Sequence, residues 1–176
     1  MSSELAPVVI LGVDPGTRVT GWGVITLDGE APRAIACDVI SPKPRLAIEQ
    51  RLHVIFLELG EVIDRYRPTA IAVEEPFVGA NVRSAMAVGE ARTVAILAAT
   101  VAGVSVHHYP PARVKRMVAG HGQGDKTQVR DMLRLQLAMD GPAPDLNASD
   151  ALAVALCHAM EHRAAMIVAS AANVRE

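Results

Sequence analysis

Four acidic residues mark the ends of apolar segments in the sequence. Asp14 follows one apolar run, Glu74 and Glu75 follow another, and Asp150 lies near the start of the last one. If the run before Asp14 and the run before Glu74 are parallel neighbouring strands, Asp14 and one of the glutamates lie at the same sheet edge, about 4.8 Å apart. Two carboxylates this close repel each other unless one is protonated or a cation lies between them. The pattern therefore predicts a cation site.

A cation site built from carboxylates is suited to phosphodiester hydrolysis. Hard oxygen ligands favour Mg²⁺ or Mn²⁺. With two ions about 4 Å apart, one can generate hydroxide while the other stabilises the leaving oxygen. Asp14, Asp150 and one of the two glutamates are therefore candidate catalytic and metal-binding residues.

Each of these features also has an ordinary explanation. The run Asp14-Pro15-Gly16 is typical of a turn, and Asn147 with Asp150 has the spacing of a capping box at a helix start. The two glutamates could simply end an exposed strand. Convergence favours the catalytic interpretation, because three acids at element ends can reach one edge of a sheet.

The elements that would position these acids follow from the apolar pattern. Apolar runs and turn residues predict five strands, at 8–13, 20–27, 33–40, 69–73 and 104–109. Helical spacing predicts helices at 46–66, 81–102 and 126–139, a short helix after Pro110-Pro111, and a last helix beginning near Asn147. A strand, helix and strand in this order suit a right-handed crossover, which makes the fourth strand a parallel neighbour of the first.

The predicted fold is a single α/β domain over residues 1–176, with an ordered core of about 8–165. Its first three strands form an antiparallel meander, so the five-stranded sheet is mixed and is flanked by helices. Because only 3% of the residues are aromatic, Ala, Val, Leu and Ile must fill the core.

The composition predicts a soluble, cytoplasmic protein without a membrane association. No segment reaches the roughly 18–20 uncharged apolar residues needed to span a bilayer, and the first residues do not resemble a signal peptide. Cys37 and Cys157 match no metal or redox spacing.

Basic residues are concentrated in one segment, although the net charge is −2. Residues 107–134 contain only two acids, Asp125 and Asp131, and six basic residues: Arg113, Lys115, Arg116, Lys126, Arg130 and Arg134. Such a segment is a candidate nucleic-acid contact. The ordinary explanation is a solvated helix surface.

Four blocks of the sequence resemble the RuvC-type Holliday junction endonucleases. They run in order from about Val9 to His162: ILGVDPGTRVTGWGVI, AVEEPFVGANVRSAMAVGEARTVAILAA, YPPARVKRMVAGHGQGDKTQV and NASDALAVALCHA. The resemblance implies a ribonuclease H-like fold and a homodimer that nicks two opposed strands of a four-way DNA junction. It also implies a branch-migration ATPase complex as a partner.

The resemblance also implies roles for individual residues. The catalytic acids would be Asp14, Asp150 and Glu74 rather than Glu75, because in the family a phenylalanine follows the glutamate by three positions, here Phe77. This ring would stack on bases near the junction centre, where one stacked base contributes about 1–3 kcal/mol. Phosphate contacts would come from Lys115 and Lys126, and further DNA-binding candidates are Arg83 and Arg116.

One position departs from the family pattern. Three residues before the last aspartate the family usually has an acid, or in some members a histidine, where this chain has Asn147. An amide oxygen can bind a cation but carries no formal charge. We therefore predict two ions per site, with Asn147 as a neutral fourth ligand and with Mn²⁺ preferred over Mg²⁺.

Two alternative functions remain open from the sequence. The Asp-x-Gly-Thr motif at Asp14 also opens the phosphate-binding hairpin of actin- and hexokinase-like ATPases, but those proteins need two such lobes. A junction-binding protein that has lost cleavage through Asn147 is the other alternative, although it would have no reason to keep three clustered acids.

Overall fold

The protein is described by a computed structural model over residues 7–28, 31–76, 82–119 and 126–173. The strands within these ranges are β1 (Val8–Asp14), β2 (Thr20–Leu27), β3 (Pro32–Ile40), β4 (Ala70–Glu74) and β5 (Ser105–Tyr109). The helices are α1 (Ile48–Tyr66), α2 (Val82–Val101), α3 (Pro111–Ala119), α4 (Lys126–Gln136) and α5 (Leu146–Asn173). Each predicted element is present, but α4 ends three residues before its predicted end and α5 extends well beyond residue 165.

The strands form a five-stranded mixed sheet in the order β3-β2-β1-β4-β5. β2 pairs antiparallel with both β1 and β3, while β4 is parallel to β1 and to β5. The register places Val13 beside Val73, so the carboxyl ends of β1 and β4 meet at one edge. This confirms the predicted meander and the parallel pairing of the first strand with the fourth.

The two faces of the sheet carry separate cores. On one face Leu11, Val13 and Val73 pack with α1 and α2. On the other face Ile10 and Ala72 pack with α3, α4 and α5. Side chains alternate between faces along a strand, so Asp14 and Glu74 belong to the face that α5 covers.

Glycines allow the backbone of α5 to lie directly on this face. A Cβ at Gly12 would stand 2.0 Å from the carbonyl oxygen of Ala151, and one at Gly21 would stand 2.0 Å from that of Asn147. A Cβ at Gly23 would stand 2.6 Å from Cγ of Leu152. The first turns of α5 are therefore held against β1 and β2, beside the end of β1.

Two helical windows, Val82–Val101 and Leu146–Ala172, are long and apolar enough to cross a membrane by length and composition alone. Half of the α5 window is buried inside the protein, but only 22% of the α2 window is. Charged residues interrupt both windows, among them Glu90 and Asp150. Packing on the sheet accounts for the apolar character of α5, whereas α2 leaves an exposed apolar surface.

Candidate catalytic metal site

Asp14 and Glu74 end adjacent parallel strands and interact directly. Their side chains share a hydrogen bond, which requires a proton on one of the two carboxyls. Burial, followed by the negative charges of Glu74 and Asp150, raises the pKa of Asp14 to about 8. Without a cation the pair therefore favours sharing a proton between its oxygens.

Glu74, and not Glu75, faces the other acids. Burial and the charge of Asp150 raise the pKa of Glu74, while its hydrogen bond with Asp14 and the positive charge of Lys115 act in the opposite direction. The backbone N–H of Glu75 donates to the carbonyl of Tyr109 at 2.9 Å, which continues the pairing of β4 with β5. Because side chains alternate between the two faces of a strand, the side chain of Glu75 points away from Asp14.

Asp150 reaches the same edge from α5. Its charge raises the pKa of both Asp14 and Glu74, so it lies within electrostatic range of both. The contact between Gly21 and the Asn147 backbone fixes the start of α5 beside Asp14, because Gly21 pairs with Asp14 in the β1–β2 register. Three elements thus bring three acids to one edge of the sheet.

This group of acids suits a divalent cation by its donor chemistry. It consists of carboxylate oxygens, which favour Mg²⁺ or Mn²⁺. Within the described part of the chain, no three Asp, Glu, His or Cys side chains have a ready-made ligand arrangement. Asp14, Glu74 and Asp150 would hold a cation after the shared proton leaves.

The start of α5 is capped by Asp145, not by Asn147. The backbone N–H of Asn147 donates to Oδ1 of Asp145 at 2.8 Å, and its side-chain Nδ2 donates to the same oxygen at 3.0 Å. The hydrogen bond from the backbone of Asn147 has the larger effect and the one from its side chain the next, and both lower the pKa of Asp145. The capping-box explanation of Asn147 is therefore wrong, since α5 begins at Leu146 and Asn147 lies in its first turn. Its role as a metal ligand stays a prediction.

Three residues of the basic segment contact other parts of the protein. Arg113 pairs with Glu161 at 2.6 Å, Arg130 donates to the carbonyl of Pro144 at 2.6 Å, and Arg134 donates to the carbonyl of Gly141. Lys115 and Arg116 are exposed on α3. Three of the six basic residues thus have partners within the protein, and of these Arg113 is still 54% exposed.

The remaining DNA-binding candidates are Arg83, Lys126 and Phe77. Arg83 lies in the first turn of α2, where it lines a shallow groove with Val82, Met86, Ala87 and Glu90. Lys126 begins α4, but its side chain, like Phe77, lies outside the described parts of the structure.

The shared proton predicts an unusual pH dependence of stability. Without divalent cations, the free energy of unfolding should fall as the pH rises from about 4 to about 8. In this window the folded protein keeps a proton on Asp14, with a pKa of about 8, that the unfolded chain, with a pKa near 3.8, has lost. Thermal unfolding in a chelator at pH 5 and pH 8 measures the difference. Asp14→Asn should flatten the dependence; an equally steep dependence in that variant would assign it to other groups.

Sequence reasoning missed two features of the site. The first feature is a set of three glycines, Gly12 on β1 and Gly21 and Gly23 on β2. Glycines inside strands indicate a close approach of another backbone. The second feature is a buried contact between Tyr109 and His158, whose ring nitrogen Nδ1 lies 2.8 Å from the tyrosine oxygen. Only the fold brings these two residues together.

Comparison with known proteins identifies the family. The model of the RuvC family, crossover junction endodeoxyribonuclease RuvC, matches residues 10–158. The chain is 45% identical to the protein of that name from Rubrobacter xylanophilus over 88% of this chain and 87% of the relative. It is 46% identical to the one from Heliobacterium modesticaldum over 85% of this chain and 93% of the relative.

Solved structures agree with these matches. T. thermophilus RuvC in complex with a Holliday junction substrate superposes with a TM-score of 0.83 at 36% identity, over 90% of this chain and 96% of that one. The yeast mitochondrial Holliday junction resolvase Ydc2 shares the fold, with a TM-score of 0.60 at 10% identity, over 84% of this chain and 76% of that one. The ribonuclease H-like prediction is thereby confirmed, and the chain belongs to the RuvC family of crossover junction endodeoxyribonucleases.

Proposed function

We propose that this protein resolves four-way DNA junctions by paired, metal-dependent hydrolysis of phosphodiester bonds in recombination and repair. The observation that carries the proposal is the meeting of Asp14, Glu74 and Asp150 at one sheet edge, where burial and the neighbouring negative charges raise the pKa of Asp14. Membership of the RuvC family supports the same function. The actin- and hexokinase-like ATPase alternative has no support from the matched family.

The roles of the chain's own residues follow from the electrostatics of the site. Divalent cations, two per site in our proposal, would supply an activated water and stabilise the leaving oxygen. Asp14, Glu74 and Asp150 would hold the cations at the carboxyl ends of β1 and β4 and the start of α5. Lys115, whose charge already acts on Glu74, would bind the scissile phosphate. Phe77, Lys126, Arg83 and Arg116 would contact the junction around it.

The test is cleavage of a synthetic mobile four-way junction with Mg²⁺ and with Mn²⁺, each strand labelled in turn. We expect nicks at symmetric positions in two opposed strands, and no cutting of a linear duplex with the same arm sequence. Junction binding without nicking in either metal would support the non-cleaving alternative. Hydrolysis of ATP without DNA would support the ATPase alternative.

A homodimer would provide the two sites that paired nicking requires, because a two-fold junction calls for sites related by a two-fold axis. We propose that α2 forms the interface. Its outer side carries strongly exposed apolar residues, with Val82 64%, Met86 66% and Val101 71% accessible. The alanines of the opposite side, such as Ala91 and Ala95, are buried on the sheet.

The dimer prediction can be tested with one charged substitution. Met86→Glu should place a charge inside the interface and convert a dimer at micromolar concentration into a monomer. The matched control is Leu57→Glu on α1, which is 50% exposed and lies outside the proposed interface. Sedimentation of both variants measures the result. A dimer that survives Met86→Glu but not Leu57→Glu would move the interface away from α2.

The metal preference depends on Asn147. Because a neutral ligand leaves the cations with less negative charge, we expect more cleavage with Mn²⁺ than with Mg²⁺, which demands stricter geometry. Asn147→Asp should narrow this gap by adding a charge. Asn147→Ala, which also loses the bond to Asp145, should lower activity without abolishing it. Cleavage titrated against each metal measures the effect, and unshifted curves for Asn147→Asp would remove the residue from the ligand set.

We further propose a cytoplasmic location and a branch-migration ATPase complex as the partner on junction DNA. Both follow from the family. A pull-down of the ATPase subunits on junction DNA, with linear duplex as control, would test the partner.

A further inference from the structure

A chain of polar contacts joins α3, β5 and α5 next to the acids. The hydroxyl of Tyr109 donates to Glu161 Oε2 at 3.2 Å, and Arg113 Nη2 lies 2.6 Å from Glu161 Oε1. The guanidinium of Arg113 also lies 5.8 Å from the centre of the Tyr109 ring. His158 Nδ1 lies 2.8 Å from the same tyrosine oxygen. We call these four residues the Tyr109 cluster.

Proton counting assigns one set of hydrogen-bond directions to the cluster. Tyr109 has one hydroxyl proton, which it donates to the carboxylate of Glu161. The contact between Tyr109 and His158 then calls for the tautomer in which Nδ1–H of His158 donates to the tyrosine oxygen. His158 is buried against the ring of His107, at 4.2 Å between centres. The cluster is thus one directional chain from α5 through β5 back to α5, with Arg113 attached from α3.

The cluster stands directly beside the catalytic edge. Tyr109 is the register partner of Glu74 in the parallel pairing of β4 and β5. α3 follows Tyr109 after one residue, and it carries Lys115. The orientation of α3 therefore decides where the Lys115 ammonium stands relative to Glu74.

α3 is a short helix that is held by packing on one side. It has nine residues, fewer than the roughly 12–15 that an isolated helix needs to be stable in water. Val114 and Val118 are buried on α5. Neighbouring residues on a helix are about 100° apart, so Arg113 and Lys115 lie on opposite flanks of Val114. One flank is held by Glu161 and Tyr109, and on the other Lys115 is near enough for its charge to lower the pKa of Glu74.

We propose that Arg113, Glu161 and Tyr109 are positioning residues that hold α3 so that Lys115 reaches the scissile phosphate beside Glu74. This inference rests on the role proposed above for Lys115. The cluster ties that lysine to α5, the helix that also carries Asp150. The proposed metal ligand Asp150 and the phosphate-binding Lys115 thereby keep a fixed position relative to each other.

The experiment is single-turnover cleavage at saturating enzyme, with junction affinity measured separately. Glu161→Gln and the charge-neutral Tyr109→Phe should each slow cleavage about tenfold, because a small misplacement of a reacting group is costly. Affinity should stay within about twofold. Arg113→Ala should behave like Glu161→Gln, and Arg113→Lys should recover part of the rate, since lysine keeps the charge but not the planar geometry.

A double-mutant cycle separates positioning from general stability. If the cluster acts through Lys115, Glu161→Gln should cost less than about twofold in a Lys115→Ala background. The matched control is Asp28→Asn, which removes the carboxylate that pairs with Arg33 at a distant hairpin and should leave cleavage unchanged. Thermal unfolding of each variant shows whether it remains folded under the assay conditions.

The possible outcomes distinguish the two proposals. Wild-type cleavage by Lys115→Ala would refute the role of Lys115 itself. An impaired Lys115→Ala combined with normal Glu161→Gln and Tyr109→Phe variants would refute only the positioning role. An equal loss from Glu161→Gln in both backgrounds would also refute it, because the cluster would then act independently of Lys115.

Discussion

Replacement of Asp14, Glu74 or Asp150 by its amide is expected to slow junction nicking by about a thousandfold, the cost of removing one preorganised electrostatic group. Each amide keeps the size of the side chain but removes a negative charge from the cation site. Junction affinity should be kept or increased, since less negative charge faces the phosphates. Gel-shift assays in a chelator and cleavage assays with each metal separate the two effects.

The chain offers a matched control for this experiment. Glu75 is the neighbour of Glu74, and its backbone continues the pairing of β4 with β5. Glu75→Gln should therefore cut at close to the rate of the unmodified protein. If Glu75→Gln is the inactive variant and Glu74→Gln is active, the assignment from strand alternation is wrong.

Gly21→Ala is expected to destabilise the fold and, in the protein that still folds, to slow cleavage strongly. The new Cβ would stand 2.0 Å from the carbonyl oxygen of Asn147, so the first turn of α5 must move away from β2. Overpacking of this kind costs about 1–3 kcal/mol. Asp150 lies in the same part of α5, so the displacement should also separate it from Asp14. Thermal unfolding and cleavage at a temperature below both transitions measure the two losses.

Gly60→Ala provides the control for this prediction. Gly60 lies inside α1, where a Cβ would meet nothing within 4 Å. Alanine is favoured over glycine in a helix interior by about 1 kcal/mol, so this variant should be more stable and cut normally. A Gly21→Ala protein with unchanged stability and cleavage would show that α5 can shift without disturbing the site.

The sequence by itself determined the order of the elements and predicted that acids from three of them reach one sheet edge. Apolar runs such as 8–13 and 69–73 have the length and β-branched content of buried strands, and the crossover rule makes them parallel neighbours. Because the ends of parallel neighbours meet at one edge, the strand order alone predicts that Asp14 and a glutamate lie close together. Local periodicity and chain connectivity are enough for such inferences.

The tertiary structure decided which groups act together around those acids. The side chains of Glu74 and Glu75 lie on opposite faces of the sheet, and that of Glu74 lies on the face of Asp14. The family pattern points to Glu74 as well. The residue that caps α5 is Asp145 rather than Asn147. The two positions differ by two residues, which periodicity cannot resolve. Arg113, Arg130 and Arg134 look equivalent to Lys115 in the sequence.

The partners of these basic residues explain the difference. Arg113 meets Glu161 and Arg130 meets the carbonyl of Pro144 only after α3, α4 and α5 have packed on one another. The raised pKa of Asp14 likewise arises from burial beneath α5 and from charges that belong to other elements. Contacts between residues far apart in the chain depend on packing, and local patterns carry no information about them.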